Sequence, residues 1–307
     1  MTTQPDTLRT AEPAARPTRQ QPRGKRTRER NPFMALSHLT LLLWALLVIV
    51  PLLSTFLGAF KSSDQILNGK PWEIPHHWTF GAYGRAWSTA HVGRYLLNTI
   101  VIVGFSTFGT MLLGSMAAYV LARYSFRGNR FIYLMFVSGM TFPVFLALVP
   151  LFSMVKNMGM LFTYQGIILV YIAYSLPFTV FFMAAFFKTL PTSVAEAAMI
   201  DGAGHAKVFF RVMLPMAKSG LVSITIFNII GQWNQWYLPV LLMNPSGGEQ
   251  KHQVLAQGLI ELSVNQGYKS DWSGLFAGLT LAMLPVLVVY LVFQRQVQAG
   301  LTGGISK

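Results

Sequence analysis

Six stretches of this chain contain no Asp, Glu, Lys or Arg: 31–60, 95–122, 131–155, 157–187, 219–248 and 272–294. That pattern leaves few folds open. A helix needs about 20 apolar residues to cross the hydrocarbon core of a bilayer, and each stretch is long enough. One ionised side chain near the middle of a span costs ~2.5–3.5 kcal/mol on insertion scales, so charge-free runs of this length specify a topology. The expected fold is an all-α integral membrane protein with six transmembrane helices, near 34–59, 96–121, 131–155, 164–187, 217–243 and 274–294. Only 11% of residues are charged, against about 25% in a soluble domain.

Basic residues orient the chain. With both termini in the cytoplasm, the inner segments hold 17 Lys and Arg and the outer segments 7. This is the positive-inside bias. The formal net charge of +14 is therefore topogenic, and nucleic acid is not an expected partner. Residues 1–32 carry eight basic residues and five prolines. They lack the apolar surface needed to order themselves and read as a disordered basic cytoplasmic tail. Docking of that tail on anionic lipid headgroups is the sharper alternative. The six-helix domain covers 33–294, with a coupling loop at 188–218 and a cytoplasmic tail at 295–307. The chain has no Cys, and the adjacent His76 and His77 have few acids near them, so no metal site is expected.

Between the charge-free stretches 157–187 and 219–248 lies a charged interval whose middle is Pro191–Pro215, PTSVAEAAMIDGAGHAKVFFRVMLP. Ser193 and Glu196 have capping-box spacing. Gly202 can take the left-handed conformation that ends a helix. A second helix is expected from about His205 to Leu214. Val208 with Val212 and Phe209 with Met213 pair at i, i+4 on it, and Lys207 with Arg211 on another face. The expectation is a helical hairpin outside the membrane, pinned between two spans. Its apolar residues are either buried on the protein's own helices or offered to a partner, since an exposed apolar patch off the membrane usually marks an interface.

This string resembles the EAA loop of binding-protein-dependent ABC importer permeases. The matching residues are Glu196-Ala197-Ala198, then Gly202, then Val212 and Leu214-Pro215. The one departure is Val212, where Ile is more usual. The outer segment around Pro75, Trp87 and Asn98 and the tail from Gln294 resemble the carbohydrate group, of the maltose-transporter type. The resemblance covers nearly everything after about residue 34 and nothing of the basic tail. It implies a sugar-translocating permease subunit in a bacterial-type cell membrane. Its implied partners are a second homologous permease, two ABC ATPase subunits, an extracytoplasmic solute-binding protein and membrane lipid. It also implies that Glu196, Ala197, Ala198, Asp201, Gly202, Val208, Phe209, Val212, Leu214 and Pro215 couple to the ATPase. Glu196 is then either a capping carboxylate, a partner for an ATPase basic residue, or both. Because the hairpin runs directly into the fifth helix, its movement is expected to tilt that helix.

The chain itself has no Gly-rich phosphate loop with Lys-Ser/Thr and no nucleophile–base arrangement. It is expected to be non-catalytic and to hold no cofactor, with ATP and Mg bound by the ATPase. The fifth helix carries Asn228, Gln232, Trp233, Asn234 and Trp236; the fourth carries Tyr171 and Tyr174. Amides beside aromatic rings suit a sugar path. They equally suit interhelical hydrogen bonds and an interfacial aromatic belt. An amino-acid or peptide permease is the nearer alternative function. An ion-coupled carrier is the more distant one, because such carriers place ionisable residues within the membrane.

Overall fold

The computed structural model describes residues 32–244, 252–269 and 271–302. The basic tail, Gly247, Gly248 and Gln250 lie outside them. Among the described residues there are helices and no strand. Four helices are long and apolar enough to cross a membrane, and six spans result if each of two bent pairs counts as one. We label them α1 (Pro32–Gly58), α2 (Val92–Arg123), α3 (Asn129–Thr141), α4 (Leu148–Asn157), α5 (Tyr164–Thr189), α6 (Thr192–Ile200), α7 (His205–Met216), α8 (Lys218–Trp233), α9 (Tyr237–Leu242), α10 (Leu255–Lys269) and α11 (Trp272–Thr302).

The chain divides into two compact units, 1–49 and 50–307. The described part of the first is the opening of α1, whose leucines are exposed, as suits a helix solvated by lipid. In the second unit, α2 and α5 pack more extensively than any other pair. The small residues Ser106, Thr110, Gly114 and Ala118 form the buried stripe of α2. A Cβ on Gly114 would come within 2.6 Å of Thr179, and one on Gly109 within 2.5 Å of Ile172. The close approach therefore depends on those side chains being absent.

Two of the expected spans are interrupted, and proline explains both. A single helix over 131–155 is not formed. Pro143 drives Phe142 out of the helical region, to ψ 126°. The chain turns 98° between Asn129–Thr141 and Val144–Asn157. The helix expected over 217–243 stops at Trp233 and restarts at Tyr237. In an unbroken helix the Pro239 ring would clash with the Gln235 carbonyl, whereas the first turn of a new helix accepts it. Pro177 and Pro285 sit inside continuous helices. The last helix runs on to Thr302, past the expected start of a tail at 295.

The interval 244–273 is less of a loop than its polarity suggests. It forms α10, and Gln253 and Gln257 are buried. Asn98 donates to the Gln253 carbonyl at 2.7 Å and accepts from the Tyr164 hydroxyl at 2.8 Å. Thr99 accepts from the Leu255 N–H at 2.9 Å. Nearby, Arg85 holds Asp271 through two bonds of 2.8 and 2.9 Å, just ahead of α11. Asp271 also accepts the Gly274 N–H, capping that helix.

The Arg85 hydrogen bonds keep the Asp271 carboxyl below the ordinary aspartate range, against the opposing effect of burial. A depressed carboxyl contributes stability that is present above its unfolded pKa and lost as pH falls through the folded one. The pair is partly exposed, so it is worth about 0.5–1 kcal/mol. Asp271→Asn should therefore lower the melting temperature in nanodiscs at pH 7. The gap to wild type should close below about pH 4. A gap that stays constant with pH would show that the pair contributes nothing as an ion pair.

Candidate functional site

The hairpin opens at Pro191, whose φ of −64° is already helical in φ and whose side chain makes no capping bond. This corrects the capping-box expectation. The helix begins at Thr192, two residues earlier than a Ser193 cap would give, so Ser193 lies inside the first turn. Glu196 is exposed, as is Asp201, and neither forms an ion pair among the described residues. The far end of α6 follows the sequence closely. Gly202 has φ +83°, with its N–H on the Met199 carbonyl at 3.0 Å and the Ala203 N–H on the Ala198 carbonyl at 3.0 Å. These two bonds make a Schellman motif, which satisfies carbonyls the helix end would otherwise leave bare.

The return helix α7 is not regular. Residues Phe209–Met213 form a π turn, closed by the Leu214 N–H on the Phe209 carbonyl. Pro215 follows at once. It has no N–H to give the Arg211 carbonyl, and its ring would crowd that carbonyl in a regular helix. The widened turn relieves the conflict, and π turns of this kind recur at functional positions.

One face of α7 points inward. Val208 and Met213 are fully buried, and Phe209 is 5% exposed. Of the two readings offered for the apolar residues, burial on the protein's own helices is the one observed. The Phe209 ring lies 5.1 Å from that of Tyr119 on α2 and 6.4 Å from that of Phe187 on α5. Beside it, Tyr124 and His205 share a 2.9 Å hydrogen bond. Arg123 donates at 2.6 Å to the carbonyl of Leu190, which ends α5. Val212, Leu214 and Ala198 are half-buried against the same cluster. The sequence reading missed this socket. Its only trace was a pair of tyrosines at the end of a span with no stated purpose.

The other face of the hairpin is open. Ile200 is 87% exposed, and Val194, Met199 and Phe210 are also exposed, as are Glu196, Ala197, Gly202 and Pro215. The hairpin does not continue straight into the fifth span. The axis bends 79° between His205–Met216 and Lys218–Trp233, at Ala217. The hairpin and that helix therefore meet at an angle and do not share one axis. The hairpin's buried face shares one cluster with residues of α2, α5 and α8, among them Ala118, Phe187 and Ile224.

The second group of predicted residues is brought together only in part. Asn228 donates to Thr179 at 2.9 Å. Gln232 donates to Ser175 at 3.0 Å and accepts from Ser106 at 2.6 Å and from Thr107 at 3.0 Å. The amides on α8 are four residues apart, like the hydroxyls on α5, so two helical faces meet rung for rung. That i, i+4 match was the available signal for Thr179, which the sequence reading missed. These bonds clamp α2, α5 and α8 with neutral groups, each worth about 0.6 kcal/mol on average within a membrane. Tyr171 is buried, Trp233 is half-buried, and Asn234 and Trp236 are exposed at the break before α9.

Asn228, Gln232 and Ser175 also line a half-open groove of about 390 Å³ between α3, α5 and α8. Tyr174, Phe178, Phe142 and Phe227 supply its aromatic faces. No cluster of His, Cys, Asp or Glu able to hold a metal occurs among the described residues.

Comparison with known proteins gives one family match, to "binding-protein-dependent transport system inner membrane component", over residues 110–303. A diacetylchitobiose uptake system permease protein of Streptomyces coelicolor, NgcG, is 47% identical over 272 residues, 89% of this chain and 88% of that one. A melibiose/raffinose/stachyose import permease protein of Bacillus subtilis, MelC, is 33% identical, covering 77% and 84%. Among solved structures, a chain of a bacterial ABC transporter that imports the acidic polysaccharide alginate superposes with TM-score 0.76 at 24% identity. It covers 88% of this chain and 98% of that one.

Proposed function

The chain belongs to the family of binding-protein-dependent transport system inner membrane components, and from that premise we propose a specific role for it. It is the permease subunit of an ATP-driven importer that carries a di- or oligosaccharide, of the N-acetylated β-linked type, into the cytoplasm. The hairpin is the observation that carries the role. It presents an exposed acid and an apolar patch off the membrane, yet is seated against the ends of two spans. A docked ATPase pulling on that face would move α2 and α5 as a body, which is how rigid-body alternating access is driven. Glu196, Ala197, Asp201 and Gly202 form the contact surface. Val208, Phe209 and Val212 act behind it as the anchor. In this reading the hairpin and both termini are cytoplasmic, in line with the basic-residue bias. A second permease and a solute-binding protein complete the assembly, and two ATPase subunits bind the ATP and Mg. The 47% identity to a diacetylchitobiose permease supports the sugar class over an amino acid or peptide.

Uptake of labelled diacetylchitobiose in cells with and without this chain tests the proposal. Uptake should require the chain, stop on ATP depletion and survive an uncoupler. The tagged chain should bring down an ATPase and a second permease from native membranes. Uptake that collapses with the uncoupler while ATP stays high would replace this reading with ion-coupled transport.

A further inference from the structure

We propose that the groove between α3, α5 and α8 is a sugar subsite on this subunit, built to hold one N-acetylated pyranose ring. This rests on the sugar-importer reading. Three features of the groove support it.

Its walls combine the two chemistries a pyranose presents. Phe142, Phe178, Phe227 and Tyr174 give flat apolar faces for the C–H side of a ring. Ser175, Asn228 and Gln232 give polar edges for hydroxyls and an acetamido group. The neighbouring cavity of about 310 Å³, next to α4, lacks this combination: its lining is Val, Leu, Met, Ala and Gly with Tyr174 alone carrying a polar group.

The polar edges are held in place before any ligand arrives. The Asn228 and Gln232 side chains are fixed by Thr179, Ser175, Ser106 and Thr107, so little side-chain entropy remains to be lost on binding. The Asn228 Nδ2 is committed to Thr179 and Met111, and among the described residues its Oδ1 accepts from no group. A carbonyl oxygen left over at a groove wall suits an acetamido N–H.

The floor is shaped by small residues. Gly139 meets Pro177 at 3.0 Å from its ideal Cβ position, which brings the α3 wall close to α5. Gly231 lines the groove with nothing within 4 Å of its ideal Cβ. The space a side chain would take there is groove, not protein.

That last fact supplies the test. Gly231 is helical with ordinary φ and a Cβ there meets nothing, so Ala adds no backbone strain, and Leu and Trp extend from that free position toward the groove. In cells carrying the whole importer, Gly231→Ala should take up labelled diacetylchitobiose at no less than half the wild-type rate. Gly231→Leu and Gly231→Trp should lose at least tenfold. Membrane levels, copurifying subunits and ATP hydrolysis stimulated by the solute-binding protein should stay within twofold of wild type. Tyr174→Ala should raise the half-saturating sugar concentration in uptake with little change in maximal rate. Wild-type uptake in Gly231→Trp overturns the subsite. So does a loss of copurifying subunits in the Leu and Trp variants, which would make the groove a subunit contact. A wild-type importer that carries a different solute and no sugar overturns the function itself, and is told apart because it appears before any variant is made.

Discussion

Gly202→Val should reduce sugar uptake at least tenfold while the chain remains in the membrane at its normal level. At φ +83° an L-residue brings its Cβ against its own backbone, at about 1–2 kcal/mol, and a β-branched residue suffers most. No neighbour would be struck, because nothing lies within 4 Å of the ideal Cβ. The cost therefore falls on the turn alone. It loosens the Schellman bonds from Gly202 and Ala203 and swings α6 relative to α7. Asn, which tolerates the left-handed region, should keep most of the activity at this position. The two variants separate backbone geometry from side-chain bulk. Equal damage from Asn and Val would mean that uptake depends on the surface of the turn and not on its conformation.

Phe209→Ala should have the largest effect on stability, ~3–5 kcal/mol if the socket cannot collapse. The ring is held between Tyr119 and Phe187 and belongs to the largest buried cluster at the hairpin end. The melting temperature in nanodiscs should fall by several degrees, with Phe209→Leu intermediate. In proteoliposomes of the assembled transporter, Phe209→Leu should still permit ATP hydrolysis while sugar uptake falls further, because the hairpin would shift without carrying α2 and α5. A fall in both by the same factor would assign Phe209 to folding only.

The sequence made the spans legible because charge is expensive in lipid. It made Gly202 legible because only a few residues accept φ > 0. The failures were of another kind. Pro143 and Pro239 break their helices while Pro177 and Pro285 do not, and nothing local separates the pairs. The outcome depends on what neighbouring elements can satisfy. Ser193 lost the cap because Pro191, two residues earlier, already set the entry to the helix. Phe209 and Val208 were legible as apolar but not as inward-facing, since helical spacing alone does not say whether the protein's own spans or a partner covers an apolar face. Asn228 and Gln232 stood equally well for a path or a clamp, and the structure uses them as a clamp with one edge on a groove.

The clamp between α2, α5 and α8 is made of hydroxyls and carboxamides. Nothing in it ionises, so sliding these helices past one another moves no formal charge through the membrane's electric field. Moving one elementary charge across that field is worth ~2.3 kcal/mol per 100 mV, enough to bias a conformational equilibrium about fiftyfold in either direction. With neutral rungs only, the resting potential of the cell has no such lever on the clamp itself.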